Sequence, residues 1–95
     1  MYGLFVEVNA DESVTEEARK FLNDVIAPRA RAAGAKAGFW LAPMAGRGVS
    51  ITVYDRQDQA HDVAARFRVG ERPSDDAPEG VIVRTVEVVE VLASV

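Results

Sequence analysis

Ninety-five residues, against a prior of roughly 150 per domain, make a single domain over 1–95 and leave no room for a second. The chain has no cysteine and one histidine, which excludes a disulfide scaffold and thiolate-held zinc or iron–sulfur centres and argues against a multi-imidazole metal site. A formal charge of −4 sets aside nucleic acid and anionic membranes as main partners, because both attract Lys/Arg-rich surfaces, while a 48% apolar content is not that of a disordered chain.

Met1–Glu7 has no basic leader region, and Glu7 interrupts its short apolar run, so it does not read as a signal peptide. No stretch reaches the ~18 consecutive apolar residues of a membrane-spanning helix. A soluble, cytoplasmic protein is the expectation.

Residues 4–10 alternate, Leu4, Val6 and Val8 against Phe5, Glu7 and Asn9, which predicts a strand. Asp11-Glu12-Ser13 breaks it, and Ser13-Val14-Thr15-Glu16 has capping-box spacing for a helix. Val14, Ala18, Phe21, Leu22 and Val25 follow at helical spacing, and Gly34 is the natural stop. Pro28 interrupts that helix, so a kink or a second short helix with Pro28 in its first turn is expected.

A second strand covers 37–42, with Phe39 and Leu41 opposite Trp40. A hairpin loop over 43–48 leads to the third strand, 49–55. That strand sets Val49, Ile51 and Val53 against Ser50, Thr52 and Tyr54. Asp55 can cap a second helix at about 56–68 with Ala60, Val63, Ala64 and Phe67 as its buried stripe. Gly70–Gly80 holds two prolines and several acids and reads as a solvent-exposed loop. The valine-rich strand 81–92 closes the chain, and its alternation slips at Val88-Val89, the mark of a bulge.

The order β-α-β-β-α-β predicts an α+β, ferredoxin-like sandwich: a four-stranded antiparallel sheet with two helices on one face. Assigning Leu4, Val6, Val8, Phe39, Leu41, Val49, Ile51, Val53, Ile82, Val86 and Val88 to the helices leaves a distinct second face. It would carry Phe5, Glu7, Asn9, Trp40, Ser50, Thr52, Tyr54, Val83, Thr85 and Glu87. That mixture is too apolar for open water, and a homodimer meeting sheet to sheet is the expectation.

The element order resembles the dimeric α/β-barrel superfamily, in particular small proteins similar to the antibiotic-biosynthesis monooxygenases. The Val25-Ile26-Ala27-Pro28-Arg29 helix ending, the Gly38-Phe39-Trp40-Leu41 strand and the Val49–Asp55 strand carry the likeness, which spans nearly the whole chain. It implies a dimeric barrel; the expected function is a cofactor-independent monooxygenase-like or isomerase-like enzyme acting on a small aromatic or polyketide-like molecule, and the alternative is a non-catalytic small-ligand-binding or dimerisation module. The haem-degrading branch uses an asparagine on the first strand, a tryptophan late on the third and a histidine far along the second helix. Asn9 suits the first position, Tyr54 stands where the tryptophan is expected, and His61 lies near the start of its helix. No cofactor and no metal are expected, though haem and flavin stay open.

Several residues are candidates for chemistry, each with an ordinary reading beside it. Glu7 and Glu87 share the second face, where burial could raise a carboxyl pKa and make a general base; the alternative is pairing with basic groups. Asn9, Ser50, Thr52 and Tyr54 can hydrogen-bond a polar ligand or simply satisfy one another. Trp40 is a ligand platform or a packing anchor, and His61 a proton acceptor or a surface residue. Arg84 is expected on the helix-facing side, reaching past the sheet edge. Gly46-Arg47-Gly48 is no phosphate loop, since it joins two strands instead of opening a helix.

Overall fold

Residues directly opposite each other on antiparallel strands point to the same face, so the strand register decides what each side of the sheet carries. The computed structural model describes residues 1–95. Strands β1 (Tyr2–Asn9), β2 (Ala37–Trp40), β3 (Arg47–Tyr54) and β4 (Ile82–Glu90) form one antiparallel sheet in the order β2-β3-β1-β4. Helices α1 (Thr15–Phe21) and α2 (Ala27–Ala32) precede β2, and α3 (Gln57–Ala64) precedes β4. The arrangement is α+β and compatible with the ferredoxin-like sandwich.

The register inverts the expected faces of β2 and β3. Tyr54, Thr52 and Ser50 stand opposite Tyr2, Leu4 and Val6, and Gly38 and Trp40 opposite Thr52 and Ser50. The hydroxyl-bearing residues and Trp40 therefore share the helix-covered side with Leu4 and Val6. Phe39, Val49, Ile51 and Val53 lie on the open face with Phe5 and Glu7. Both alternating sets of β3 suit a half-buried strand, and a one-residue change of register sends every side chain to the other side. Apolarity alone points the β3 valines at the helices, but on β3 the more apolar set faces outward, while on β1 and β4 it faces the helices.

β4 carries a second correction. Its pairing with β1 passes from Glu7↔Thr85 to Val8↔Val83, which leaves Arg84 as the extra, bulged residue. Val88 and Val89, where the slip was expected, pair regularly with Leu4 and Gly3. The bulge turns Val83 inward, where it is 1% exposed, and puts Ile82 opposite Asn9 on the open face. Arg84 is exposed and donates from Nη1 to Asn9 Oδ1 at 3.2 Å, so it does not face the helices.

Local signals in the helices are partly redrawn. Asp11, not Ser13, caps the first turn: its Oδ1 accepts from the Ser13 amide at 2.8 Å, a 3₁₀ turn spans Glu12–Val14, and α1 begins at Thr15. Pro28 behaves as expected. Leu22–Ile26 forms a wide π turn in which the Ala27 amide reaches back to the Leu22 carbonyl, and Pro28 sits in the first turn of α2. Gly34, at φ 103°, stops that helix. At α3 the Gln59 side chain, not Asp55, accepts from the Arg56 amide at 3.1 Å, while Asp55 pairs with Lys36.

The core consists of Leu4, Val6, Tyr54, Ala60, Val63 and Val83, with α3 contributing Ala60 and Val63. α3 ends at Ala64, yet Phe67 still packs on this cluster. The 70–80 loop is less exposed than its composition suggests. The Gly70 amide donates to the Val83 carbonyl and the Val83 amide to the Glu71 carbonyl, both at 2.8 Å, and Ala77 and Pro78 are buried.

Candidate functional site

No residue between Thr15 and Ala32 is fully buried, although the apolar stripe of these helices faces the sheet. A cleft of about 1000 Å³ lies between them and the helix-side face of the sheet. That is the upper end of the usual size for small-molecule pockets, roughly 300–1000 Å³. Its floor includes Leu4, Val6 and the β3 hydroxyl residues, its roof Phe21, Leu22 and Ile26, and one end Phe67 and the 70–80 loop.

The inverted register is what gives this cleft its polar groups. Ser50, Thr52, Tyr54 and Trp40 all border it. Tyr54 is fully buried, and its hydroxyl has no hydrogen-bond partner. A buried hydroxyl left unpaired costs about 1–3 kcal/mol, so the position favours any group that can accept from it or donate to it. Amid a lining that is more than half apolar, these hydroxyls can orient one polar group of an otherwise apolar molecule.

The remaining candidates are elsewhere. Glu7, Asn9 and Glu87 lie on the open face, with Glu87 opposite Phe5. There Arg47 Nε donates to Glu7 Oε2 and Thr85 Oγ1 donates to Glu7 Oε1 at 3.0 Å. The Arg47 hydrogen bond first, and that of Thr85 second, hold the Glu7 carboxyl below its ordinary value of 4.5. This shift is opposite to the one a general base at neutral pH requires, and Glu7 is the ionised centre of an arginine cluster. His61 is exposed on α3 and does not border the cleft. The structure thus separates two groups that the sequence placed together on one face: Trp40, Ser50, Thr52 and Tyr54 within the molecule, Glu7, Asn9 and Glu87 outside.

Sequence reading missed the basic border of the cleft, to which Arg31, Arg66, Arg68 and Arg72 contribute. The signal available was the run of arginines from the end of the second helical pattern into the loop. The loop itself is tied down: Arg72 donates to the Ala77 carbonyl, and Arg29 of α2 pairs with Asp76 at 2.9 Å. The Ser74 hydroxyl and Arg29 together hold the Asp76 carboxyl below its ordinary value. No group of three or more acidic or imidazole side chains that could hold a metal ion is present, and no helix is long and apolar enough to cross a membrane.

No protein family, curated protein or solved structure matches this chain.

Proposed function

We propose that the protein binds a small, largely apolar molecule, aromatic or polyketide-like, in the cleft beneath α1 and α2. The cleft itself carries this reading: its lining is more than half apolar, and the hydroxyl residues Ser50, Thr52 and Tyr54 border it, that of Tyr54 having no partner within the chain. Cofactor-independent oxidation of a phenol by dioxygen, the monooxygenase-like chemistry implied by the resemblance, would draw its reactivity from the substrate. The cleft would then contribute orientation and exclusion of water. The three candidate proton acceptors, Glu7, Glu87 and His61, stand outside the cleft, which favours binding over acid–base chemistry by these groups.

The same reading includes a homodimer formed through the open face. Phe39 is 62% exposed there, on one surface with Phe5, Ile51 and Val53. A continuous apolar patch of this kind favours burial against a partner. Sedimentation that gives a monomer mass at every concentration would remove the dimer.

Thermal-shift screening against haem, flavin, aromatic acids and quinols tests the ligand. Ligand at about 100 times its Kd stabilises by about 2.7 kcal/mol, a shift of several degrees in a chain this size. The expected result is such a shift with an aromatic compound, reduced in Tyr54→Phe and retained in Asn9→Ala. No shift with any of them would overturn the reading.

A further inference from the structure

The chain is acidic overall, but its charges are not evenly spread. Seven of the eleven Lys and Arg side chains border the cleft and only two of the fifteen carboxylates do, Glu71 and Asp75. Elsewhere four cations face thirteen carboxylates. The cleft is a positive recess in a negative molecule, and such a recess concentrates and steers anions.

Some of these cations already have partners. Arg19 pairs with Glu16, Arg29 with Asp76, Lys36 with Asp55, and Arg72 donates to a carbonyl of the loop. Arg31, Arg66 and Arg68 have no acidic partner. Arg66 and Arg68 follow the end of α3, beside Phe67, which packs on the core. A planar guanidinium matches an oxyanion with two parallel donors. Apolar surface next to it leaves space for the body of the same molecule.

We infer, on the reading of the cleft as a small-molecule site, that its ligand carries an oxyanion head group, carboxylate or phosphate, on an apolar body. The head group sits at Arg66 and Arg68, with Arg31 as a further free cation of the border, and the body runs beneath Phe21, Leu22 and Ile26 toward the Tyr54 hydroxyl. The acidic exterior then keeps anions from binding at random, so that selection occurs only inside the cleft.

Calorimetry with 2-naphthoate, 2-naphthyl phosphate and the neutral 2-naphthamide tests this on the full chain. Hydrogen bonds to a charged group favour both anions over the amide by about tenfold or more, and that preference falls as salt is added. Which anion binds more tightly assigns the head group. In Arg66→Gln/Arg68→Gln the anions are expected to fall to the level of the amide while amide binding is unchanged; both side chains are exposed, and circular dichroism confirms the fold. Tyr54→Phe is expected to weaken all three compounds alike. Equal affinity of amide and anions for the unmodified protein would overturn the anion preference and leave the cleft reading standing. A preference that survives the double substitution would overturn the assignment to Arg66 and Arg68. Binding of none of the three would overturn both.

Discussion

The two halves of the helical layer are unlike. α3 is short, buries Ala60 and Val63, and closes a core with Leu4, Val6, Tyr54 and Val83. The longer α1–α2 segment buries nothing fully and stands over a cleft of about 1000 Å³. Close packing on one side holds the sheet in place, so the other side can remain open without losing the fold. The irregularity before Pro28 belongs to the open half, where a π turn over Leu22–Ile26 leads into α2 with Pro28 in its first turn.

The largest expected effect measures that contrast directly. Leu4→Ala and Leu22→Ala remove the same atoms, so any difference in cost comes from packing. At Leu4, 2% exposed, the loss should be about 2–5 kcal/mol. At Leu22, half-buried in the cleft roof, it should stay below ~1 kcal/mol. Urea unfolding at one fixed protein concentration compares the two. Equal losses would mean that the α1–α2 half is closed and packed in solution.

Tyr54→Phe comes next and changes sign between the ligand-free and bound protein. Removing a buried hydroxyl that has no partner should raise the stability of the free protein by about 1 kcal/mol or more. The same substitution should weaken a ligand that uses the hydroxyl. Stability gained with affinity lost would tie the open half to function. Loss of stability would show that the hydroxyl is already satisfied.

How much of this could be read from residues alone follows from the same contrast. The strands, the helix break at Pro28 and the antiparallel α+β arrangement were legible, because period-two and helical spacing and proline's missing amide act locally. The faces of β2 and β3 were not. Val49-Ser50-Ile51-Thr52-Val53-Tyr54 alternates equally well in either sense, and what decides is pairing with β1, a contact between distant residues. The same holds at Arg84, whose bulge is visible only against Glu7 and Val8. The candidate site was therefore half legible: the pattern singles out Trp40, Ser50, Thr52 and Tyr54 together but gives them the opposite side of the sheet from the one they occupy. The arginines of the cleft border were missed because their nearness depends on how α2, α3 and the 70–80 loop pack.

A smaller effect belongs to the open face, which neither half of the helical layer covers. Glu7 is held below its ordinary value of 4.5 chiefly by Arg47. A carboxyl depressed in the folded state contributes stability that is fully present above its unfolded value and lost as pH falls through its folded value. Unfolding followed from pH 7 downward should therefore show a loss below about pH 4.5 in the parent chain. In Glu7→Gln that part of the slope should be missing, with little change in the difference between Leu4→Ala and Leu22→Ala. An unchanged acid slope would mean that Arg47 and Glu7 do not hold each other in solution.

The smallest effect serves as a control for all of these, because it lies in the β2–β3 connection, away from α3 and the α1–α2 roof. Met44 and Arg47 exchange both backbone hydrogen bonds, at 2.9 and 3.1 Å, around Ala45 and Gly46 at φ 53° and 78°. Two positive φ values in a two-residue hairpin loop define a type I′ turn, which asparagine followed by glycine fits best. Alanine in the left-handed region places its Cβ too near the following carbonyl, a cost on the order of 1 kcal/mol that asparagine partly avoids. Ala45→Asn should thus raise stability by up to ~1 kcal/mol, read from the urea midpoint at unchanged slope. It should leave ligand affinity and the gap between the two leucine variants as they were. A change in that gap would show that the hairpin and the cleft are coupled, since sites without shared partners add independently.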